Sequence, residues 1–312
     1  MCIRDRYDNE EVEKKYFYIV ANTVKSKDQK DIVKYLKKHF SNLMEGEITF
    51  EKWILAEYET LKEAYNQLPH GVKDPDVFVK DKKDKKRFKA LYKRYYKAYD
   101  KVRSEYIGDQ RVNIFLVKKS NMNVCPYCNR NYITARGESV SGAQLDHFIS
   151  RSEYPIFALC LYNLVPCCSV CNLTKLTKEL EVSPFASEMD DNSFTFTPTG
   201  ILPGEQPAVK IKAKNAQLEK NIEVLHLQEA YDFHSDDLKE LVELKEMYPE
   251  TQISEICDLI NGERRLVGKA NLTSTDIRDM VFGKQVPYEE YGKKPLAKFR
   301  HDILKDLGVY TR

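Results

Sequence analysis

The chain has 312 residues, 42% apolar and 31% charged, with a formal net charge of +2. That is the composition of a chain with a hydrophobic core, and it excludes a disordered or fibrous protein. No stretch approaches the roughly 20 apolar residues of a membrane helix, and the N-terminus lacks the basic, apolar and small-residue succession of a signal peptide, so a cytoplasmic location without membrane attachment is expected. The near-zero net charge conceals a gradient. Residues 1–120 carry 28 Lys and Arg against 20 Asp and Glu, whereas residues 183–312 carry 17 against 23. A polyanion would therefore meet the N-terminal part first.

In chain order, three stretches between residues 10 and 68 repeat their apolar residues at intervals of three and four, which predicts amphipathic helices joined by short loops. "PHGVKDPD" at 69–76 breaks that pattern. Residues 80–103 then hold twelve basic and three acidic residues. In this stretch Phe88, Leu91, Tyr92, Tyr95, Tyr99 and Val102 share one helical face, and Lys86, Arg87, Lys93, Arg94 and Lys97 lie off it. Such a helix can bury its tyrosine stripe while its basic face stays solvated or contacts phosphates; the two uses are compatible because the faces differ.

The texture changes near residue 120. "NYITA" and "GAQLDHF" read as short strands around a turn containing Gly and Ser, and "NLTKLTKELE" after Cys171 can begin a helix. Further on, "SFTFTPT" and "AVKIKA" flank a Gly/Pro turn and predict a hairpin. The remainder is mostly helical.

The chemistry concentrates at two cysteine pairs. Cys125-Pro-Tyr-Cys128 and Cys168-Ser-Val-Cys171 are separated by 39 residues. Each C-x-x-C turn offers two thiolates from one bend of the chain, so two pairs close a tetrahedral four-sulfur zinc site with no open position for water. Eight cysteines in a reducing compartment are poor candidates for a disulfide framework. Cys160 and Cys167 have no partner at metal-ligand spacing and read as small core residues; Cys2 and Cys257 carry no assigned role. Between and just after the pairs stand Asp146, His147, Asn163 and Asn172. These offer oxygen donors and an imidazole, an inventory suited to Mg²⁺ or Mn²⁺ and a phosphate rather than to a second zinc.

Asp-His followed by "NLVPCCSVCN" and Lys175 resembles the signature of the HNH endonucleases, whose ββα-metal motif is often flanked by zinc knuckles. The likeness covers residues 122–180 and extends to phage junction-resolving endonucleases, in which an asparagine likewise follows the last zinc cysteine. It implies that Asp146 and Asn172 bind one catalytic Mg²⁺ or Mn²⁺, that His147 is the general base, and that Asn163 holds the loop after His147. It also implies that Lys175 touches a phosphate. Asn172 stands where many members carry histidine and is the weaker ligand. Because neighbouring side chains of a strand point to opposite faces, Asp146 and His147 require a bend to reach one metal and one water.

The expected architecture is α+β: a basic helical domain at 1–119, a zinc-stapled ββα-metal core at 120–182 and an acidic, mostly helical mixed domain at 183–312. So small a core buries little apolar surface by itself and would draw stability from zinc and from its flanks. The C-terminal apolar spacing is loosely similar to HNH proteins found beside ATPases in anti-phage systems, which implies an ATPase partner. Three functions follow as alternatives: a DNA endonuclease, an inactive zinc-dependent nucleic-acid-binding module, and an RNA-directed nuclease, since phosphate contacts alone carry no sugar identity.

Overall fold

The computed structural model describes residues 9–40, 42–43, 46–68, 82–202 and 204–310, with backbone alone for 82–88. The chain is α+β, and among the described residues its strands form three two-stranded antiparallel ladders set among helices. The break expected at 69–76 lies outside the described residues. No helix among them is long and apolar enough to cross a membrane.

Contacts divide the chain into two compact units, Met1–Asp190 and Asp191–Arg312. The sequence separates a helical domain at 1–119 from the core at 120–182, but the structure packs these two segments as one body. The reason is visible at their junction. Helix α1 (Glu10–Thr23) buries Val12, Tyr16 and Val20, and the Tyr16 hydroxyl donates to Leu159 O at 2.9 Å. Helix α2 (Ser26–His39) buries Ile32, Tyr35 and Leu36.

The third predicted helix is broken into α3 (Phe50–Ile54) and α4 (Tyr58–Asn66). The break lets Trp53, the only tryptophan, drop between Phe40 and Phe157, with ring centroids 6.3 and 5.5 Å away. Its indole N–H donates to Ile156 O at 3.1 Å. The core segment thus obtains its apolar cover from the helices that precede it.

Helix α5 (Lys82–Val102) lays Leu91, Tyr92, Tyr95, Tyr99 and Val102 into the interior, as its periodicity requires. A minimal hairpin, β1 (Tyr106–Ile107) and β2 (Gln110–Arg111), leads to helix α6 (Val112–Lys119), which buries Val112 and Ile114 through Val117. "NYITA" forms no strand and keeps one isolated bridge, between Val124 and Tyr132. The central ladder instead pairs β3 (Gln144–His147) with β4 (Leu164–Cys167) in the register Asp146 to Val165 and His147 to Leu164. Gly142 precedes β3 where a side chain has no room, because a Cβ would lie 2.1 Å from Thr134 O. Helix α7 (Ser169–Lys175) follows β4 directly and stops at Leu176, whose φ is 47°.

In the second unit β5 (Phe194–Thr199) pairs with β6 (Ala208–Ala213) as the alternating sequence predicts. Phe196 packs 4.4 Å from the Tyr231 ring and 5.9 Å from that of Phe299. The Phe196 N–H donates to the buried Asp302 carboxylate at 3.0 Å, which Lys298 holds at 2.8 Å.

Trp53 is 1% exposed. Trp53→Ala is expected to destabilise the first unit by about 3–5 kcal/mol, the usual loss for emptying a large aromatic site. Urea unfolding followed by circular dichroism checks this as an earlier transition.

Candidate metal centre and adjoining cleft

The turn holding the first cysteine pair is shaped by backbone bonds: Cys125 N–H donates to Asn131 O at 2.9 Å, and Asn129 N–H to Cys125 O at 2.8 Å. Asn129 takes φ 50°, a left-handed conformation that asparagine tolerates better than most residues. The second pair opens α7, with Cys168 as its N-cap accepting the Cys171 N–H at 3.4 Å. Cys125, Cys128, Cys168 and Cys171 are all buried, and their sulfurs lie within 4.8 Å of one another.

Zinc–sulfur bonds of about 2.3 Å place the sulfurs of a tetrahedron about 3.8 Å apart, so this cluster fits the ion with little adjustment. The four cysteines could hold a metal ion such as zinc. Asn131 Nδ2 donates to Cys168 Sγ at 3.3 Å, the kind of outer hydrogen bond that orients a thiolate ligand. Hydrogen bonding from the other three thiols holds the Cys168 thiol well below the usual thiol range, while burial pushes Cys125 up. Cys160 and Cys167 are buried outside the cluster. Cys257 is also buried, and Cys2 lies outside the described residues.

The cluster is joined to its surroundings through the middle of its own turn. Tyr127, between Cys125 and Cys128, donates its hydroxyl to Asp146 Oδ2 at 2.7 Å. Asp146 Oδ1 receives the Lys175 ammonium at 3.1 Å, and the same ammonium donates to His147 O at 2.8 Å. The sequence expectation of a phosphate contact for Lys175 does not match this placement. Its side chain is 0% exposed, committed to an internal ion pair because α7 directs it under β3. Removing one member of such a pair leaves an uncompensated buried charge, at a cost of about 3–5 kcal/mol.

His147 ends β3, and its Nε2 lies 2.9 Å from Ala158 O. A carbonyl only accepts, so Nε2 carries the proton and Nδ1 keeps the lone pair. Burial pushes the imidazole down from 6.5 to about 3, which keeps it neutral at physiological pH. The Tyr99 ring stands edge-on to it at 4.4 Å. No bend separates Asp146 from His147. Their side chains leave the strand towards different partners, and both reach the edge of one cleft.

Asn163 is 1% exposed and fastens the segment after His147. Its Oδ1 accepts the Ile149 N–H at 2.7 Å, and its Nδ2 donates to Ile149 O and Phe157 O, both at 3.0 Å. Asn172, in α7, donates Nδ2 to the side chain of Gln144, at the start of β3.

The cleft has a volume of about 520 Å³ and is lined by Asp146, His147, Gln144, Asn172, Tyr99 and Arg151, among others. Asp146, Asn172 and Gln144, all with side-chain oxygens, therefore line one space, with both Asp146 oxygens also accepting from Tyr127 and Lys175; oxygen ligands of this kind suit a hard divalent cation. Sequence reasoning omits Tyr127, Gln144, Tyr99 and Arg151. Tyr127 was open to suspicion because it is the aromatic residue inside a knuckle; the others have no local signature.

Among the described side chains, Lys93, Arg94 and Lys97 of α5 do not line this cleft. Lys93 and Lys97 are exposed, and the side chains of Lys86 and Arg87 lie outside the described residues. Arg94 departs from the expected free phosphate-binding role. Its Nη2 and Nε grip Asp28 at 2.7 and 3.0 Å, tying α5 to α2. No family model, curated protein or solved structure matches the chain.

The purified protein is expected to contain one zinc per chain. Cys128→Ser, or a strong chelator, should release it and lower the melting temperature by roughly 10 °C or more, since several kcal/mol of folding energy reside in such sites. Zinc analysis and thermal melts provide the check.

Proposed function

We infer that the protein is a zinc-stapled, metal-dependent endonuclease of the HNH type that hydrolyses phosphodiester bonds of DNA. The observation that carries this reading is the convergence of a neutral imidazole and an oxygen-donor set on one cleft beside the four-cysteine cluster. A purely structural knuckle has no need of that convergence. Zinc in the cysteine cluster is structural, because four thiolates leave no open coordination position.

Asp146 and Asn172 would hold Mg²⁺ or Mn²⁺, which when bound supplies positive charge to offset that building on the phosphoryl oxygens. His147 serves as general base. Its Nε2–H stays on Ala158 O, so Nδ1 accepts the proton of the attacking water. Asn163 keeps the loop beyond His147 in register with β4, and Lys175 with Tyr127 fixes the Asp146 carboxylate. The nucleophile's oxygen forms the new bond to phosphorus as the bond to the leaving 3′-oxygen breaks, giving 5′-phosphate and 3′-hydroxyl ends.

Purified zinc-loaded wild-type protein with Mg²⁺ or Mn²⁺ is expected to nick or linearise supercoiled plasmid, and omission of both cations should stop it. His147→Ala should lower the rate at least about 10²-fold, the lower range for loss of a general base, while keeping its zinc. A wild type that binds DNA without cutting it favours the inactive binding module. Cutting of RNA but not plasmid moves the substrate to RNA.

A further inference from the structure

The geometry points to a cationic clamp in the wall of this cleft, in which Arg151 and Arg103, restrained by Asp100, grip a backbone phosphate of the bound nucleic acid. The inference uses the nuclease reading only to name the polyanion. Arg151 and Arg103 both line the cleft that contains Asp146 and His147. Arg151 follows the loop fastened by Asn163, and its guanidinium lies over the Tyr96 and Tyr99 rings at 4.5 and 4.7 Å from their centroids. Tyr99 in turn meets the His147 ring edge-on, so a chain of ring contacts runs from the guanidinium to the imidazole.

Charge balance distinguishes this wall from an ordinary structural pair. Asp100 Oδ1 is shared by two guanidinium groups, with Arg151 Nη1 at 3.1 Å and Arg103 Nε at 3.8 Å. Asp146 is already matched by Lys175. Of the charged side chains that line the cleft, Asp146 is thus offset by the buried Lys175 beneath it, while Arg103 and Arg151 share the single carboxylate of Asp100, and the neutral His147 adds nothing. The excess positive charge sits at the cleft.

Arginine cannot shed that charge, and its planar fork matches a phosphate with two parallel hydrogen bonds. The pairs with Asp100 are partly solvated, with the carboxylate side chain 46% exposed, so a phosphate can replace them at little cost. The stack on two tyrosines keeps Arg151 aimed into the cleft when Asp100 lets go. Asp100 thus acts as a resident competitor for the phosphate.

The test is equilibrium binding of a fluorescein-labelled DNA duplex to the zinc-loaded full chain in the non-cleaving His147→Ala background, without added Mg²⁺ or Mn²⁺, as a function of salt. Adding Arg151→Ala is expected to weaken binding about tenfold and make the slope of log K against log salt shallower by about 0.9, one phosphate contact. Asp100→Asn should tighten binding. Unchanged affinity and slope in a folded Arg151→Ala protein overturn the clamp. If Arg151→Ala does not fold, by circular dichroism and zinc content, Asp100→Asn decides: tighter binding supports the clamp and unchanged binding overturns it. A wild type that cuts plasmid while Arg151→Ala binds as before removes the clamp and spares the nuclease. A wild type that never cuts, but loses DNA on Arg151→Ala, does the reverse.

Discussion

The structure depends most on the closure of two distant C-x-x-C turns upon each other. That single contact brings the turn at 125–128 against the N-terminus of α7 and so fixes three things at once. It sets the start of α7, which carries Asn172 and Lys175. It places Tyr127 against Asp146. It also closes the segment between the pairs, within which β3 and β4 find their register. The segment is too short to bury a large core of its own, and the helices around Tyr16 and Trp53 supply the remaining cover. Cysteine cluster and aromatic clasp act on the same stretch of chain from two sides.

Charge is handled sparingly in the interior. His147 is kept neutral by burial, and the Asp146 carboxylate is held between a buried ammonium and a tyrosine hydroxyl. Both arrangements cost folding free energy, because a desolvated ion pair returns little net stability. A core built only for stability would use apolar side chains of the same volume. Asp146 and His147 instead lie at the edge of one cleft, with Arg151 and Arg103 in its wall.

The sequence displayed some of this plainly. Cysteine spacing announced the cluster, because two ligands per turn is a local geometric signal. The hairpin of residues 194–213 showed in strict alternation about a Gly/Pro turn, and the tyrosine face of α5 showed in its 3.6-residue period. Other features were hidden for physical reasons. Strand β4 contains Pro166 and is buried throughout, so it has neither alternation nor ordinary strand composition. "NYITA" has strand composition, but its pairing stops at the single bridge to Val124, and a strand exists only as part of a ladder. Lys175 reads as a lysine reaching out to a phosphate because its burial is decided by Asp146, 29 residues earlier. Arg94 reads as a free cation because its partner, Asp28, lies 66 residues away.

On the proposed reading two sites with different work stand side by side, a cysteine cluster that could hold zinc and a cleft in which Asp146 and Asn172 would hold a hard cation. The most direct measurement is titration of Mn²⁺ into the zinc-loaded protein by electron paramagnetic resonance, comparing wild type with Asn172→Ala, which removes an oxygen donor and leaves the buried Asp146–Lys175 pair intact. The account predicts one Mn²⁺ site in the wild type, weakened in Asn172→Ala, with zinc content the same in both. Equal Mn²⁺ binding by the two proteins, or loss of zinc from the variant, would contradict it.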